Sequence, residues 1–456
     1  MTMKRIILAL LTLFPFVATA QEIEETDASD QVENAESADA EQPRILLNRY
    51  RIGNGLRFSA RGGAKLTVSG LVQTTFETRR YEGVDKNYSR FRVRRARLRF
   101  DGSAAHDKIR YRLGMEFVRG SESDSEDGSL LWDAWVAYRP WGNKLQITFG
   151  QAATPTDNLE LSMSSQTLQF VERSKLTGAF STIRELGLFL SSSLRVGSEG
   201  YIRPQVAITD GSGPLTGGGH RYGGLKYGAR VTYLPFGTFR SMGGNRESDM
   251  AYELTPKLAV GVGYSYADGV SDRRGGRSNG DILYRDAEGR IDLPDYAKLT
   301  ADVHFKYRGF SLLGEFVKTW GYVPSSIASR VRNDGSSATT FPIDDRDDKE
   351  AYILNRMNVG WGYNIQGGYM LRSLWEFALR YTRLCPDRYS YLNNNLYNNR
   401  HHFYDIAISK YLLRNYAAKI QFTAGLARTH GDCRTPDGNV FSGNEWTANI
   451  LFQFKF

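Results

Sequence analysis

Hydrophobic and polar positions alternate along the chain, and the pattern is clearest in the final segment. Six apolar residues recur there at every second position: Trp446, Ala448, Ile450, Phe452, Phe454 and Phe456. The residues between them are polar, except for Leu451. Because successive side chains of a strand point to opposite faces, this segment predicts a strand with one apolar and one polar face. Such a face is buried in a soluble sheet, whereas in an outer-membrane barrel it contacts lipid.

Segments with similar alternation recur through the chain and predict about sixteen strands in one β-barrel. They cover residues 66–76, 95–100, 109–117, 130–138, 145–149, two segments between 184 and 209, 225–233, 258–266, 299–307, 310–319, 359–369, 375–381, 404–412, 418–426 and 445–456. The expected fold class is therefore all-β, a transmembrane antiparallel barrel. No run of about eighteen apolar residues occurs past residue 20, so the sequence predicts no spanning helix.

The connections between the predicted strands alternate between short and long. Short ones occur at residues 102–107, 139–143, 308–309 and 413–416, and long polar ones at 120–128, 267–296, 321–349 and 428–443. This alternation is typical of outer-membrane barrels, which have short periplasmic turns and longer outer loops. Residues 236–255 break the rule, because a long stretch stands where a short turn is expected. Residues 151–180 differ too, since the apolar spacing within 158–174 favours a short helix.

The N-terminal region predicts export from the cytoplasm. Residues 1–20 combine Lys4 and Arg5, an apolar core and the small-residue sequence Ala18-Thr19-Ala20, which is typical of a cleaved secretory signal peptide. Residues 21–43 contain nine acidic residues and no basic one, and we expect a disordered periplasmic extension. Residues 44–456 are then the barrel domain, located in a bacterial outer membrane.

The charge of the predicted barrel indicates an anionic partner. The chain has 59 basic and 50 acidic residues; removing the two basic residues of the signal peptide and the nine acidic residues of the extension leaves a basic excess of 16. Such an excess favours anionic solutes, nucleic acid or lipopolysaccharide phosphates as partners. Export makes nucleic acid the least suitable of the three.

One predicted strand concentrates this charge. Arg95, Arg97 and Arg99 share one face, opposite Ala96, Leu98 and Phe100, and the next strand adds Arg110 and Arg112 on its polar face. In a barrel, the three arginines project into the lumen about 6.6 Å apart. Phe91 and Val93 have the opposite phase to Leu98, which predicts a β-bulge near Arg94 and Arg95 or a lipid boundary there.

Three interpretations of this arginine cluster remain open from the residues alone. Guanidinium groups stay charged and match phosphate oxygens, so the cluster can select anions. It can instead contact lipopolysaccharide. It can also be a lumen wall whose charge is balanced by Glu77, Glu116 and Glu185 without special selectivity.

Other chemistry-bearing residues give weaker signals. Cys385 and Cys433 fall in predicted surface loops, and an oxidising compartment permits a disulfide between them without requiring it. His401 and His402 lie near Asp405, but adjacent strand residues face opposite sides, which disfavours a hydrolase site. The acidic residues 344–350 lack the spacing of a calcium loop. We predict no enzyme activity, no cofactor and no metal.

Several motifs, in their order along the chain, resemble the phosphate-selective porin O and P family. They are Phe91-Arg92-Val93-Arg94-Arg95-Ala96-Arg97-Leu98-Arg99-Phe100, Asp133-Ala134-Trp135-Val136-Ala137-Tyr138 with Pro140, Phe149-Gly150-Gln151 with Pro155, Val171-Glu172-Arg173-Ser174, and Ala229-Arg230-Val231-Thr232-Tyr233-Leu234-Pro235-Phe236. The resemblance covers about residues 60–456. It implies a sixteen-stranded, trimeric anion channel with lumenal arginines and a third loop folded inward. By position, Arg95, Arg97 and Arg99 form the wall, Arg173 lies on the constriction, and Lys175 is close to it.

The sequence therefore favours a passive outer-membrane channel for small anions, with phosphate or phosphorylated solutes as the expected cargo. A general diffusion porin with weak anion preference is the first alternative. A surface adhesin or structural barrel that carries no current is the second, and an outer-membrane hydrolase is the third. The expected partners are inorganic anions such as phosphate, outer-membrane lipid and lipopolysaccharide, and two further copies of the chain in a homotrimer.

Overall fold

A computed structural model describes most of the chain after residue 45. The described residues are 46–48, 50–60, 63–118, 130–182, 184–210, 223–270, 283–331, 335–393 and 399–456. The predicted signal peptide and acidic extension lie outside them, so both stay predictions.

The described chain forms a closed antiparallel barrel of sixteen strands, which confirms the predicted fold class. In chain order, β1 to β16 are Lys65–Tyr81, Asn87–Ala104, Ile109–Glu116, Leu131–Tyr138, Gln146–Ala152, Glu185–Ser191, Gly200–Thr209, Lys226–Leu234, Lys257–Ala267, Asp295–Tyr307, Phe310–Tyr322, Gly360–Met370, Trp375–Pro386, Arg400–Tyr411, Ala418–Thr429 and Asn444–Lys455. Each strand pairs with the next, and β16 pairs with β1 from Glu445 opposite Tyr81 to Lys455 opposite Leu71. No open edge remains between the first and last strands.

Three short strands extend the same sheet. Leu46–Leu47 pairs with Leu56–Ser59, which in turn pairs with the start of β1, and Leu194–Val196 pairs with the start of β7. The chain therefore enters the barrel at the end that carries the short connections. We call this the periplasmic end and the opposite one the extracellular end, since barrels of this type have short periplasmic turns.

The two faces of the sheet differ as the alternation predicts. On β16, Trp446, Phe452 and Phe454 are exposed on the outer face, while Gln453 is buried on the inner face. Leu451, the apolar exception in the sequence, is 1% exposed and also faces inward. An apolar outer band and a polar interior are what a bilayer requires of a spanning barrel. Outside the barrel strands, no helix among the described residues is both long and apolar enough to cross a membrane.

The long connections at the extracellular end carry structure of their own. Leu283–Arg285, Ser329–Val331 and Ser337–Ala338 form a three-stranded sheet, and Pro342–Ile343 pairs with Arg346–Asp347. A short helix, Lys349–Leu354, follows this hairpin, and Asp348 caps its start by accepting a hydrogen bond from the Ala351 backbone amide (2.9 Å). The acidic residues 344–350 thus form a turn and a helix cap.

The described helices are all short and lie in connections. Helix α1 is Leu159–Ser162, α2 is Lys175–Phe180 and α3 is Lys349–Leu354. Single 3₁₀ turns occupy Gly142–Lys144, Ser165–Thr167, Arg240–Asn245 and Tyr391–Asn393. The expected helical character of residues 158–174 is therefore present, but it is split between α1 and a 3₁₀ turn.

The two cysteines are both free, so the disulfide that the sequence permits is not formed. Cys433 is buried in a small hairpin of Cys433–Arg434 and Val440–Phe441, packed with Tyr81 of β1. Cys385 lies instead near the end of β13, opposite Trp361 of β12. The two thiols therefore belong to separate parts of the barrel rim.

The alternation of β16 makes a direct stability prediction. Ile450→Arg places a charge on the lipid face and should destabilise the folded barrel by about 2–4 kcal/mol if the site lies near the bilayer midplane. Asn449→Arg, one residue away on the inner face, is the matched control and should cost much less. Urea unfolding in lipid vesicles measures both, and equal losses of stability would contradict the assigned faces.

Candidate functional site

A β-bulge at Arg94 organises the arginine-rich strand β2. Gln73 of β1 stands opposite Arg95, but the next residue, Thr74, stands opposite Val93, so Arg94 is the extra residue. Arg94 and Arg95 consequently both face inward and are 6% and 0% exposed. This confirms the bulge that the phase break in the sequence predicts.

On the extracellular side of the bulge, the alternation of inward and outward side chains along β2 is reversed. Phe91 and Val93 are exposed on the outer face, at 83% and 45%, so the arginines between and beside them face inward. Six arginines, which we call the arginine wall, therefore line one side of the lumen: Arg90, Arg92, Arg94, Arg95, Arg97 and Arg99. The alternation in the sequence predicts inward positions for Arg95, Arg97 and Arg99. The inward positions of Arg90, Arg92 and Arg94 follow only from the reversed phase beyond the bulge.

Carboxylates contact the extracellular half of the wall. Glu77 of β1 accepts hydrogen bonds from Arg90 (2.9 Å) and Arg92 (2.7 Å). Glu172, from the connection between β5 and β6, accepts two hydrogen bonds from Arg94, at 2.5 and 2.6 Å. The same carboxylate is 3.4 Å from Arg92 and 3.8 Å from Arg95. One acidic residue of a connection thus holds three guanidinium groups.

The periplasmic half of the wall is paired as well. Glu116 of β3 accepts a hydrogen bond from Arg97 at 2.5 Å, and Asp101 is 2.7 Å from Arg99 and 2.6 Å from Arg112. Glu77 and Glu116 are therefore balancing carboxylates, as one interpretation of the sequence held. Glu185 is not, because it accepts a hydrogen bond from Lys226 of β8 at 2.6 Å.

Aromatic rings add to the wall near its periplasmic half. Arg97 and Arg184 lie over the Trp132 ring, with guanidinium carbons 4.7 and 4.4 Å from its centroid, and Arg112 lies 5.2 Å from that of Trp135. Cation–π contacts of this kind orient guanidinium groups. Sequence reasoning did not find Arg184 or Trp132, since nothing local to either residue marks the contact. Arg110, by contrast, is exposed near the periplasmic end of β3 and takes no part in the wall.

The connection of residues 151–180 lies against inward-facing side chains of distant strands. Asn158 donates to Glu315 of β11 (3.1 Å), Gln169 donates to Glu376 of β13 (2.8 Å), and Lys419 of β15 donates to the Leu168 carbonyl (2.8 Å). Arg173 donates to the carbonyls of Glu160 and Met163 within the same segment. Arg173 therefore braces the segment that carries Glu172. Lys175 is exposed at the start of α2, with its ammonium 5.9 Å from the centre of the Phe403 ring.

The anomalous long turn of residues 236–255 also contacts the inward face. Lys306 of β10 donates to the carbonyls of Gly243 (2.8 Å) and Ser248 (2.7 Å), and Ser248 donates to Glu376 of β13 (2.9 Å). Glu247 accepts a hydrogen bond from the Gln169 amide at 2.5 Å, which joins the two connections. Burial and the nearby Glu160 carboxylate raise the pKa of Glu247 to about 7. Its neutral form is therefore favoured below that pH, whereas the hydrogen bond from the Gln169 backbone N–H favours the ionised form.

A cavity of about 910 Å³ lies between the wall, the two connections and the periplasmic turns. Its lining includes nine basic residues: Arg57, Arg97, Arg99, Arg112, Arg173, Arg184, Arg246, Arg414 and Lys455. Asp101 and Asp133 are its acidic residues. Even after local pairing, this cavity keeps a large positive excess, and such a field concentrates anions.

Residues 67–267 match the family described as Phosphate-selective porin O and P. This stretch contains the arginine wall, the segment of Arg173 and Lys175, and strands β2 to β9. This match covers less than half of the chain and supports the resemblance to that family seen in the sequence. Together with the barrel fold, it identifies an outer-membrane β-barrel channel protein of bacteria. No curated protein matches the chain significantly.

Solved porin structures resemble the barrel at low sequence identity. The outer membrane channel DcaP of Acinetobacter baumannii is 12% identical, with 88% of this chain and 100% of that chain covered and a TM-score of 0.47. An anion-selective porin from Comamonas acidovorans is 10% identical, with 86% and 100% covered and a TM-score of 0.48. OmpT of Vibrio cholerae, in a trimer form, is 10% identical, with 86% and 99% covered and a TM-score of 0.45.

The histidines considered for hydrolysis occupy the rim of the porin barrel. His401 stacks on His430 with ring centres 4.7 Å apart, and Nδ1 of His402 is 2.9 Å from the Tyr381 hydroxyl. These contacts give neither histidine a serine to activate. Among the described residues, no group of His, Cys, Asp and Glu side chains has the arrangement of a metal site. The expectation that the porin is not an enzyme stays a prediction.

Glu172 makes a testable contribution to the field of the wall. Glu172→Gln removes one negative charge beside three arginines and should raise the chloride-to-potassium permeability ratio several-fold. A unit charge about 7 Å from an ion in water contributes roughly 0.6 kcal/mol, with opposite sign for anions and cations. Reversal potentials in a potassium chloride gradient measure the ratio.

Glu445→Gln is the matched control for Glu172→Gln. Glu445 also faces inward and pairs with Arg400 at 2.5 Å, but Arg94 and Arg95 are not its partners. If both variants shift the reversal potential equally, the ratio reports net lumen charge and Glu172 has no special place.

Proposed function

We propose that this porin passes small anions, phosphate or phosphorylated solutes among them, by diffusion past the arginine wall. The observation that carries the proposal is the cavity beside the wall, with nine basic and two acidic residues in its lining. Inorganic anions entering it exchange water for guanidinium donors, which bind phosphate oxygens well.

The pairing of the wall with carboxylates supports a mechanism of exchange. A permeating anion competes with Glu172, Glu116 or Asp101 for an arginine and then returns that arginine to its carboxylate. Each site can therefore bind an anion without holding it, which a selective pore needs for throughput. The spacing of alternate arginines, about 6.6 Å along the strand, suits transfer from one group to the next.

We infer that the connection of residues 151–180 is the constriction. Its hydrogen bonds to β11, β13 and β15 support a course across the lumen, and Glu172 brings it against the wall. In this proposal Arg173 is a positioning residue that holds the segment in shape. Lys175, exposed beside the same segment, presents a cation to anions arriving from the extracellular end.

The same pairing favours a second candidate, a general diffusion porin with weak anion preference. Every arginine of the wall has a carboxylate or amide partner at hydrogen-bonding distance, or lies within 4 Å of a carboxylate, so its charge is partly neutralised. A barrel that carries no current stays the candidate of a different class. We further propose a homotrimer, as the family resemblance implies, which chemical cross-linking of the purified protein tests.

Phosphate block of chloride current tests the anion proposal. Chloride current through the full chain in a planar bilayer should fall when phosphate is added, since phosphate would occupy the wall. Arg99→Gln with Arg112→Gln should weaken the block and lower the chloride-to-potassium permeability ratio several-fold, because both residues line the cavity.

Lys410→Gln with Arg308→Gln is the control variant, because it removes the same charge outside the cavity. It should leave the phosphate block and the permeability ratio unchanged. If phosphate does not block a chloride-selective current, the general porin is correct. If folded protein carries no current, the structural or adhesin barrel replaces both.

A further inference from the structure

Three arginines on the outer face differ from those of the lumen. Arg80 of β1, Arg383 of β13 and Arg428 of β15 lie near the extracellular ends of their strands, on the face that carries the exposed apolar side chains. Within the described part of the chain, none of the three forms an ion pair with a carboxylate. A guanidinium at a membrane boundary with no carboxylate partner among the described residues is suited to bind an anion of another molecule.

The strand register brings these cations together. Arg383 stands opposite His402 of β14, and His402 stands opposite Arg428, so the three form a row across adjacent strands. Strands lie about 4.8 Å apart, which puts the two arginines of the row roughly 10 Å apart. Arg80, two strands beyond Arg428, stands opposite Trp446 one row lower.

An apolar groove of about 1090 Å³ runs below this row on the outer face. Small residues form its floor, namely Gly367, Ala424 and Ala448, and larger ones rise beside them, among them Tyr381, Tyr404 and Trp446. The lining extends from Arg80 and Asn87 at the extracellular end of the barrel to Phe310 at the periplasmic end of β11. The groove thus crosses the barrel obliquely, with cations at one end and apolar walls below.

We propose that this face binds one lipopolysaccharide molecule, independently of what the channel carries. An acyl chain lies in the groove, and the phosphates of the glucosamine headgroup accept hydrogen bonds from Arg383, Arg428 and Arg80. The polarity of the site matches that of the lipid along its whole length. Basic side chains just above a hydrophobic membrane surface are the usual means by which proteins hold anionic lipids.

The charges argue for a lipid over a second copy of the chain. A neighbouring barrel would have to offer carboxylates from its own outer face. The buried carboxylates of the described strands lie on the inner face instead: Glu77, Glu116, Asp133, Glu185, Asp302, Glu315, Glu376 and Glu445. Lipid phosphates can instead supply the anions for these arginines without a carboxylate on the outer face of a second barrel.

Binding of lipid A to the purified full chain in mild detergent tests the proposal. Bisphosphorylated lipid A should bind, and lipid A lacking one phosphate should bind about tenfold more weakly. Arg383→Gln with Arg428→Gln should weaken binding of bisphosphorylated lipid A about a hundredfold, since each lost charge-assisted hydrogen bond costs about tenfold. Native mass spectrometry measures the bound fraction, and heat-modifiable mobility on gels verifies folding.

A second variant probes the groove, and a charge-matched one provides the control. Ala448→Leu fills the floor without changing charge and should also reduce lipid A binding. Lys410→Gln with Arg308→Gln removes two cations from the periplasmic end and should leave binding unchanged. Equal binding by wild type and the Arg383 and Arg428 variant overturns the proposal, as does equal loss in the periplasmic control.

Occupation of the groove by a second copy of the chain would also overturn the lipopolysaccharide proposal. In a background with Cys385→Ser and Cys433→Ser, Ala448→Cys should stay reduced and accessible to a lipid-soluble thiol reagent when lipid A is removed. Spontaneous disulfide-linked dimers through that cysteine would mean that a second copy of the chain occupies the groove.

Discussion

The ion pairs between the arginine wall and the inward carboxylates hold the interior of this barrel in its arrangement. Charged groups as buried as Arg94 and Arg95 are tolerated only when paired or hydrogen-bonded, because desolvation of a lone charge is costly. Glu172 meets this need for three guanidinium groups at once. The same contact ties the connection of residues 151–180 to β2, so wall and connection depend on each other.

Two connections from opposite ends of the barrel contact each other. The segment of residues 151–180 and the long turn of residues 236–255 join where the Gln169 amide donates to Glu247. Their hydrogen bonds go mainly to β10, β11, β13 and β15, on the side away from the wall. The cavity lies on the remaining side, against β2 and β3. The cavity is therefore lined on that side by Arg97, Arg99 and Arg112.

The strand pattern was predictable because each strand carries its own period-two signal. The closing strand, the even strand number and the bulge at Arg94 all follow from local alternation or its interruption. Strand ends were less accurate: β2 begins at Asn87, well before the predicted residue 95, because the bulge puts the alternation of its first part in the opposite phase. Apart from the unexpected length of this connection, nothing in the sequence of residues 236–255 indicates that they contact inward-facing side chains.

The partners of the site residues were harder to predict, since they depend on contacts far apart in the chain. Glu185 pairs with Lys226 and does not contact the arginine wall. Glu172 pairs with the wall instead, and no local sequence signal marks it for this role. Arg173, expected on the constriction by resemblance, makes hydrogen bonds to carbonyls of its own segment. Such roles are decided by how a connection folds back on the barrel, which no local pattern encodes.

The central claim is that the positive field of the arginine wall acts on ions in transit. The most direct test is the zero-current potential of the wild-type protein in a planar bilayer across a potassium chloride gradient. The account predicts a potential close to the chloride equilibrium value, which should move towards zero as salt is raised and the field is screened. A potential near the potassium equilibrium value, or one near zero at every salt concentration, would contradict it.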